Sequence, residues 1–178
     1  MSDQKNSPTI NNKTQVSLPS DIEVRVARDF KAPRELVWQA HTDPALFQRW
    51  IGGYPGWSMP VCEMDVRTGG TYRWRWRADE DGKEFGFHGE YREVDAPGKI
   101  VSAEYFDPGD IGGTMPTNPT IVRTTLTEKS GVTTVVTLIE YGSKEERDGA
   151  IATGMTDGME TSYERLDKLV AEQQLGAK

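Results

Sequence analysis

The sequence has a single cysteine, Cys62, so no internal disulfide framework can hold it, and this usage fits a reducing compartment. It also lacks a basic excess. Twenty-one lysines and arginines stand against 28 acidic residues, a formal charge of −7 with a pI near 4.9. Nucleic acid and anionic membrane surfaces recruit basic proteins, so neither is an expected partner. Mean hydropathy is −0.64 and no long apolar run occurs, which argues against membrane insertion. The first 20 residues hold no apolar segment behind basic ones, so no secretory signal is read and a cytoplasmic location is expected. The two histidines, His41 and His88, fall on unrelated elements without metal-ligand spacing. No phosphate-binding glycine loop and no nucleophile elbow occur either. No metal, cofactor or catalytic residue is therefore assigned.

What remains is enough for one domain. At 178 residues the chain can bury roughly two-thirds of its unfolded surface without staples. Residues 1–20 are polar, with two prolines and no apolar period, and read as a flexible arm. Residues 21–174 form the domain, and 175–178 a frayed tail. Order begins with the alternation Ile22 to Phe30, a half-buried strand. Pro33 suits the first turn of a helix that Thr42-Asp43-Pro44 ends. Asp43 can cap a second short helix that turns Leu46, Phe47 and Trp50 inward. Ser143 can cap a long C-terminal helix whose stripe is Met155, Met159, Tyr163, Leu166 and Val170. Gly154 and Gly158 interrupt that stripe at about 1 kcal/mol each. Either something approaches the backbone there or the helix bends.

Between the helices lies a run of about six strands. Thr71 to Ala78 (TYRWRWRA) places Tyr72, Trp74 and Trp76 on one face and Arg73, Arg75 and Arg77 on the other. Asp79 to Gly82 turns the chain, which pairs Trp76 with Phe85, Trp74 with Phe87, Tyr72 with Gly89 and Arg77 with Glu84. A strand follows over Lys99 to Tyr105 and, after a long loop from Asp107 to Pro119, two more over Ile121 to Glu128 and Val132 to Glu140. Without regular strand–helix alternation, the layout is α+β with an antiparallel sheet curved around the long helix.

The aromatic face either fills a solid core or lines a ligand pocket; buried indole N–H groups need partners, which suits a pocket holding something polar. Met155, Met159 and Tyr163 would face the same space, with methionine adapting to irregular partners. Trp50, Tyr54 and Trp57 flank the loop Gly52 to Gly56 and read as a lid or mouth. His41 lies at a helix C-terminus, where the dipole favours its charged form. His88 shares a strand face with Arg73. Cys62 has no adjacent histidine and reads as an inert thiol. The arginine row faces Glu84 and Glu90 and reads as a self-neutralised, solvated surface, with Asp65 pairing Arg67 or a strand arginine.

Four segments in order carry a family resemblance: VARDFKAPRELVWQAHTDPALFQRW (26–50), PVCEMDVRTGG (60–70), GEYREVDAPGK (89–99) and GMTDGMETSYERLDKLV (154–170). The chain resembles the activator of heat-shock-protein-90 ATPase homologue-like branch of the START/birch-pollen-allergen (SRPBCC) superfamily. That resemblance implies a helix-grip fold, a curved sheet wrapped around a long C-terminal helix, with two short helices after the first strand. It also implies a space between sheet and helix suited to a small apolar, aromatic or lipid-like ligand, to which Trp38 and Tyr105 are assigned with the aromatics above. A cyclase- or hydrolase-like enzyme would instead use a polar residue at that wall. A stress- or chaperone-linked interaction module is the third alternative, although the eukaryotic co-chaperones carry an additional N-terminal domain that 20 polar residues cannot supply. An exposed strand edge would permit a homodimer, and nothing in the sequence demands one.

Overall fold

The aromatic hairpin organises one half of the molecule, and its register is the expected one. In the computed structural model, which describes residues 9–176, β4 (Thr71–Ala78) pairs antiparallel with β5 (Glu84–Asp95). Trp76 lies opposite Phe85, Trp74 opposite Phe87 and Tyr72 opposite Gly89. The other strands are β1 (Gln15–Ser17), β2 (Glu23–Phe30), β3 (Trp57–Met64), β6 (Lys99–Asp107), β7 (Thr120–Lys129) and β8 (Val132–Glu140). Together they form one antiparallel eight-stranded sheet in the order β1-β2-β8-β7-β6-β5-β4-β3. It is curved and not closed, and the α+β architecture is the helix-grip arrangement.

Helices α1 (Arg34–Thr42) and α2 (Pro44–Ile51) follow β2, while α3 (Lys144–Ala152) and α4 (Met155–Gly176) end the described chain. Asp43 caps α2, its side chain accepting from the amides of Ala45 and Leu46, and Ser143 caps α3 through the Glu146 amide. Both side chains satisfy amides that have no intrahelical partner. None of the described helices is long and apolar enough to cross a membrane.

Three expectations change. Residues 1–8 and 177–178 lie outside the described residues, but part of the expected arm is held. Val16 pairs with Val26, the Asn11 amide donates to Asp29, and the Thr14 amide donates to the Glu160 carboxylate of α4 at 2.7 Å. The two short helices consequently follow the second strand, not the first. Leu175 and Gly176, expected in the tail, belong to α4. The long helix, finally, is two. Gly154 takes φ +82°, which stops α3 before α4 begins at Met155.

The second interrupting glycine has the other explanation. A Cβ on Gly158 would lie 2.9 Å from the Tyr54 hydroxyl, which donates to the Gly158 carbonyl at 2.7 Å. The Arg165 guanidinium sits over the Tyr54 ring and donates to the Trp50 carbonyl. Tyr54 is thereby clasped to α4 and not a swinging lid. Tyr54→Phe is expected to cost about 1 kcal/mol, the net worth of one hydrogen bond, and to lower Tm by about 3 °C in a thermal melt.

The sealed part of the core lies under β2 and β8, with Leu126 of β7. Val24, Val26, Phe30, Leu126 and Val135 meet Val37 of α1 and Leu166 of α4, all essentially without solvent contact. Each such side chain contributes roughly 1.5–3 kcal/mol of burial. Arg28 also points inward, 3 % exposed, and pairs with Asp167 and Glu160 of α4. Helix packing concentrates on β3, β7 and β8.

Candidate functional site

The inner face of β4, β5 and β6 differs from this sealed half. Trp74, Phe85, Phe87 and Phe106 are only half-buried although they face the helices, and so are Met155 and Met159 of α4 and Trp57 at the start of β3. The rings contact one another: Trp76 stacks on Phe85 at 5.3 Å, Trp57 meets Phe85 edge-on at 5.2 Å, and Phe87 lies 5.2 Å from Phe106. The Nε1 atoms of Trp74 and Trp76 are buried and have no hydrogen-bond partner among the described residues. Such orphaned donors are uncommon, because each costs about 1–3 kcal/mol when left unmet.

At one end of this face sits a carboxyl that the sequence reading passed over. Glu104 on β6 lies opposite Gly89 on β5, which lies opposite Tyr72 on β4. The Tyr72 hydroxyl crosses the glycine and donates to Glu104 Oε2 at 2.9 Å. Gly89 makes that crossing feasible: a Cβ there would stand 2.6 Å from the Tyr72 hydroxyl and 2.3 Å from the Ala103 carbonyl oxygen. Burial pushes the Glu104 carboxyl up to about 7, against the smaller opposing effect of the Tyr72 hydrogen bond. Burial and the Glu104 charge push Tyr72 and Tyr91 well above the ordinary phenol range, and Tyr141 up to about 12. Tyr91 lies 4.9 Å from Tyr72, and the Tyr141 hydroxyl donates to Met155 Sδ at 3.2 Å. A carboxyl that titrates near neutrality beside a phenol can donate or accept a hydrogen bond, or carry a proton.

The assigned lining residues divide. Tyr72, Trp74, Trp76, Phe85 and Phe87 share this inner face, with Trp57, Met155 and Met159 beside them. Trp50 and Tyr163 are core residues. Trp50 is 4 % exposed, stacks on Tyr163 and donates to the Ala40 carbonyl at 2.7 Å. Trp38 on α1 packs half-buried against the same core. Tyr105 is on the wrong face. A bulge in β5 between Tyr91 and Glu93 shifts the register with β6 by one residue, so Tyr105 lies opposite His88 and stacks on it at 5.5 Å. Glu104 and Phe106 take the inward positions instead.

The outer face carries an open groove of about 600 Å³ lined by Arg73, His88 and Tyr105, and around it the arginine row is largely neutralised. Arg75 pairs with Asp107 and Glu84, Arg77 with Glu84, and Asp65 with Arg67. His41 departs from expectation. Its ring lies 4.9 Å from Trp50 and its Nδ1 is 2.7 Å from the Val37 carbonyl; burial lowers it to about 4, outweighing the opposing effect of that Val37 contact. Cys62 lies on the inner face, and burial raises its thiol to about 11, which suits an unreactive role. Among the described residues no cluster of three or more His, Cys, Asp or Glu could hold a metal ion.

A family profile described as Activator of Hsp90 ATPase homolog 1-like protein matches residues 31–171. The chain belongs to this family. Its fold is similar to that of solved structures across bacteria. A Rhodobacter sphaeroides protein is 27% identical, with 90% of this chain and 99% of that one aligned at a TM-score of 0.79. A Mycobacterium smegmatis protein, 23% identical over 90% of this chain and 99% of that one, gives 0.76. An Activator-of-Hsp90-ATPase-homolog-like protein from Aeromonas hydrophila, 20% identical over 82% and 94%, gives 0.57. No curated protein matches the chain. Membership in this family accounts for the curved sheet and the C-terminal helix; the Tyr72–Gly89–Glu104 crossing is read from this chain alone.

Proposed function

We propose that the inner face of β4–β6, under α4, binds a small aromatic or otherwise apolar molecule. One contrast carries this reading. The core between β2 and β8 is sealed, whereas Trp74, Phe85, Phe87 and Phe106 stay half-buried although they point the same way, beside the buried Tyr72 and Trp76. Apolar surface left open to water toward a protein interior costs roughly 25 cal/mol per Å², and a flat aromatic guest would recover it. The orphaned indole donors of Trp74 and Trp76 add a polar requirement, since a guest oxygen reaching either would restore a hydrogen bond.

Titration of tryptophan fluorescence with 2-naphthol, paired with native mass spectrometry, tests this. A saturable change with one guest per chain is expected, retained in Tyr105→Ala and largely lost in Trp74→Ala. An unchanged spectrum up to millimolar guest, with no adduct in the mass spectrum, would overturn it. The Glu104–Tyr72 pair favours a second reading, proton transfer to or from a bound carbonyl compound. Chemical conversion of a guest, as opposed to its return unchanged, separates the two.

A further inference from the structure

We propose that the guest of the inner face carries a basic nitrogen on its apolar body, and that Glu104 is the counter-ion of that ammonium. The proposal rests on the binding reading above and adds what the site recognises.

Glu104 is a carboxyl without a cation. Oε2 accepts from Tyr72, and Oε1 has no hydrogen-bond partner among the described residues. Arg28, the buried cation of the same face, stands on β2, three strands away in the order β2-β8-β7-β6, and is committed to Asp167 and Glu160. Glu104 is half-buried on an aromatic face, and carboxylates so placed are ordinarily paired, so an ammonium has an unclaimed partner here. The surroundings favour a positive charge as the missing half. The Tyr72 ring lies 4.4 Å from Trp74 and 4.9 Å from Tyr91, which places electron-rich faces beside the carboxyl. A neutral guest would use the aromatic faces and leave the carboxyl unmatched; an ammonium uses both.

The groups around Glu104 make the proton balance simple. Tyr72 faces it from β4, Tyr91 from β5 and Tyr141 from just past β8, while Cys62 on β3 and the Asp65 carboxyl beyond it, paired with Arg67, act on Tyr91. Burial keeps the three phenols and the thiol neutral through pH 8, and α4 presents the thioether of Met155. Glu104, which burial holds near 7, is thus the group of this cluster that changes charge between pH 5 and 8. When an ammonium binds below pH 7, the Glu104 proton leaves to the buffer and the carboxylate remains against the cation.

Calorimetry with 1-naphthylmethylamine and its neutral near-isostere 1-naphthylmethanol reads this out in the full chain and in Glu104→Gln. At pH 8 the amine is expected to bind about tenfold more tightly than the alcohol, as one net charge-assisted hydrogen bond would give. The preference should collapse toward one at pH 5 and in Glu104→Gln, which retains the Tyr72 acceptor. At pH 6.5 amine binding should release a proton, visible as an enthalpy that changes with the buffer's ionisation heat. Equal affinities at pH 8, or an amine preference that survives Glu104→Gln, would overturn the proposal while leaving the binding reading intact. Failure of both compounds to bind would overturn the two together.

Discussion

Glu104→Gln is expected to make the protein more stable above pH 7, by up to about 3 kcal/mol, and to change little near pH 4. The size follows from the distance between the carboxyl's ordinary value, 4.5, and the native value of about 7. In the unfolded chain the proton leaves near pH 4.5, whereas the native state holds it until about 7. Over that interval the native state binds more protons, so stability falls by about 1.4 kcal/mol per pH unit and levels off above 7. Glutamine has nearly the same shape, cannot ionise, and still accepts from the Tyr72 hydroxyl. Urea unfolding of both proteins at intervals from pH 4 to 8 isolates the effect, because all other titrating groups are common and cancel. Parallel stability curves would show that Glu104 is solvated in the native state.

The second large effect falls on a residue with no side chain. Gly89→Ala would place a methyl 2.3 Å from the Ala103 carbonyl oxygen, and backbone there cannot yield as a side chain can. It would also lie 2.6 Å from the Tyr72 hydroxyl, so the phenol must swing away and release Glu104. Overpacking of this kind costs about 1–3 kcal/mol, and the lost hydrogen bond adds about 1 kcal/mol. Freed of that bond, the carboxyl should titrate still higher, since the Tyr72 hydroxyl stabilises the ionised form. Gly149→Ala is the control. A Cβ at Gly149 in α3 meets nothing within 4 Å, and alanine in an open helical position is expected to be neutral or mildly stabilising. Equal stabilities of the two alanine variants in denaturant melts would contradict the crossing of Tyr72 over β5.

The hairpin was legible because several signals agree on one register: a short turn, three aromatic positions at period two, and Arg77 opposite Glu84. The caps Asp43 and Ser143 were legible because their chemistry is local. Glu104 was not. Counting back from the Asp95–Gly98 turn pairs Asp95 with Lys99 and would carry Tyr105 to the position opposite Gly89. The extra residue at Arg92 moves every later pair by one and turns that strand over. Alternation within β6 points the wrong way, since Val101, Ala103 and Tyr105 are uniformly less polar than the set that holds Ser102 and Glu104. His41 failed for another reason. Its place at a helix end is written in the chain, but the packing of Trp50 against it depends on where α2 turns. The hold on residues 11–17 likewise depends on Asp29 and Glu160, far away in the chain.

The strand order has a consequence for synthesis. Apart from the three-residue β1, β2 finds its partner in β8, Glu23 opposite Glu140, and α4 follows later still. A growing chain therefore presents the β4–β5 aromatics before the strand and helix that complete the core have been made. Loop closure over such a separation is slow relative to local hairpin formation. The most aggregation-prone interval of this protein's life is thus its translation, with the tryptophan-rich hairpin formed early and waiting for its cover.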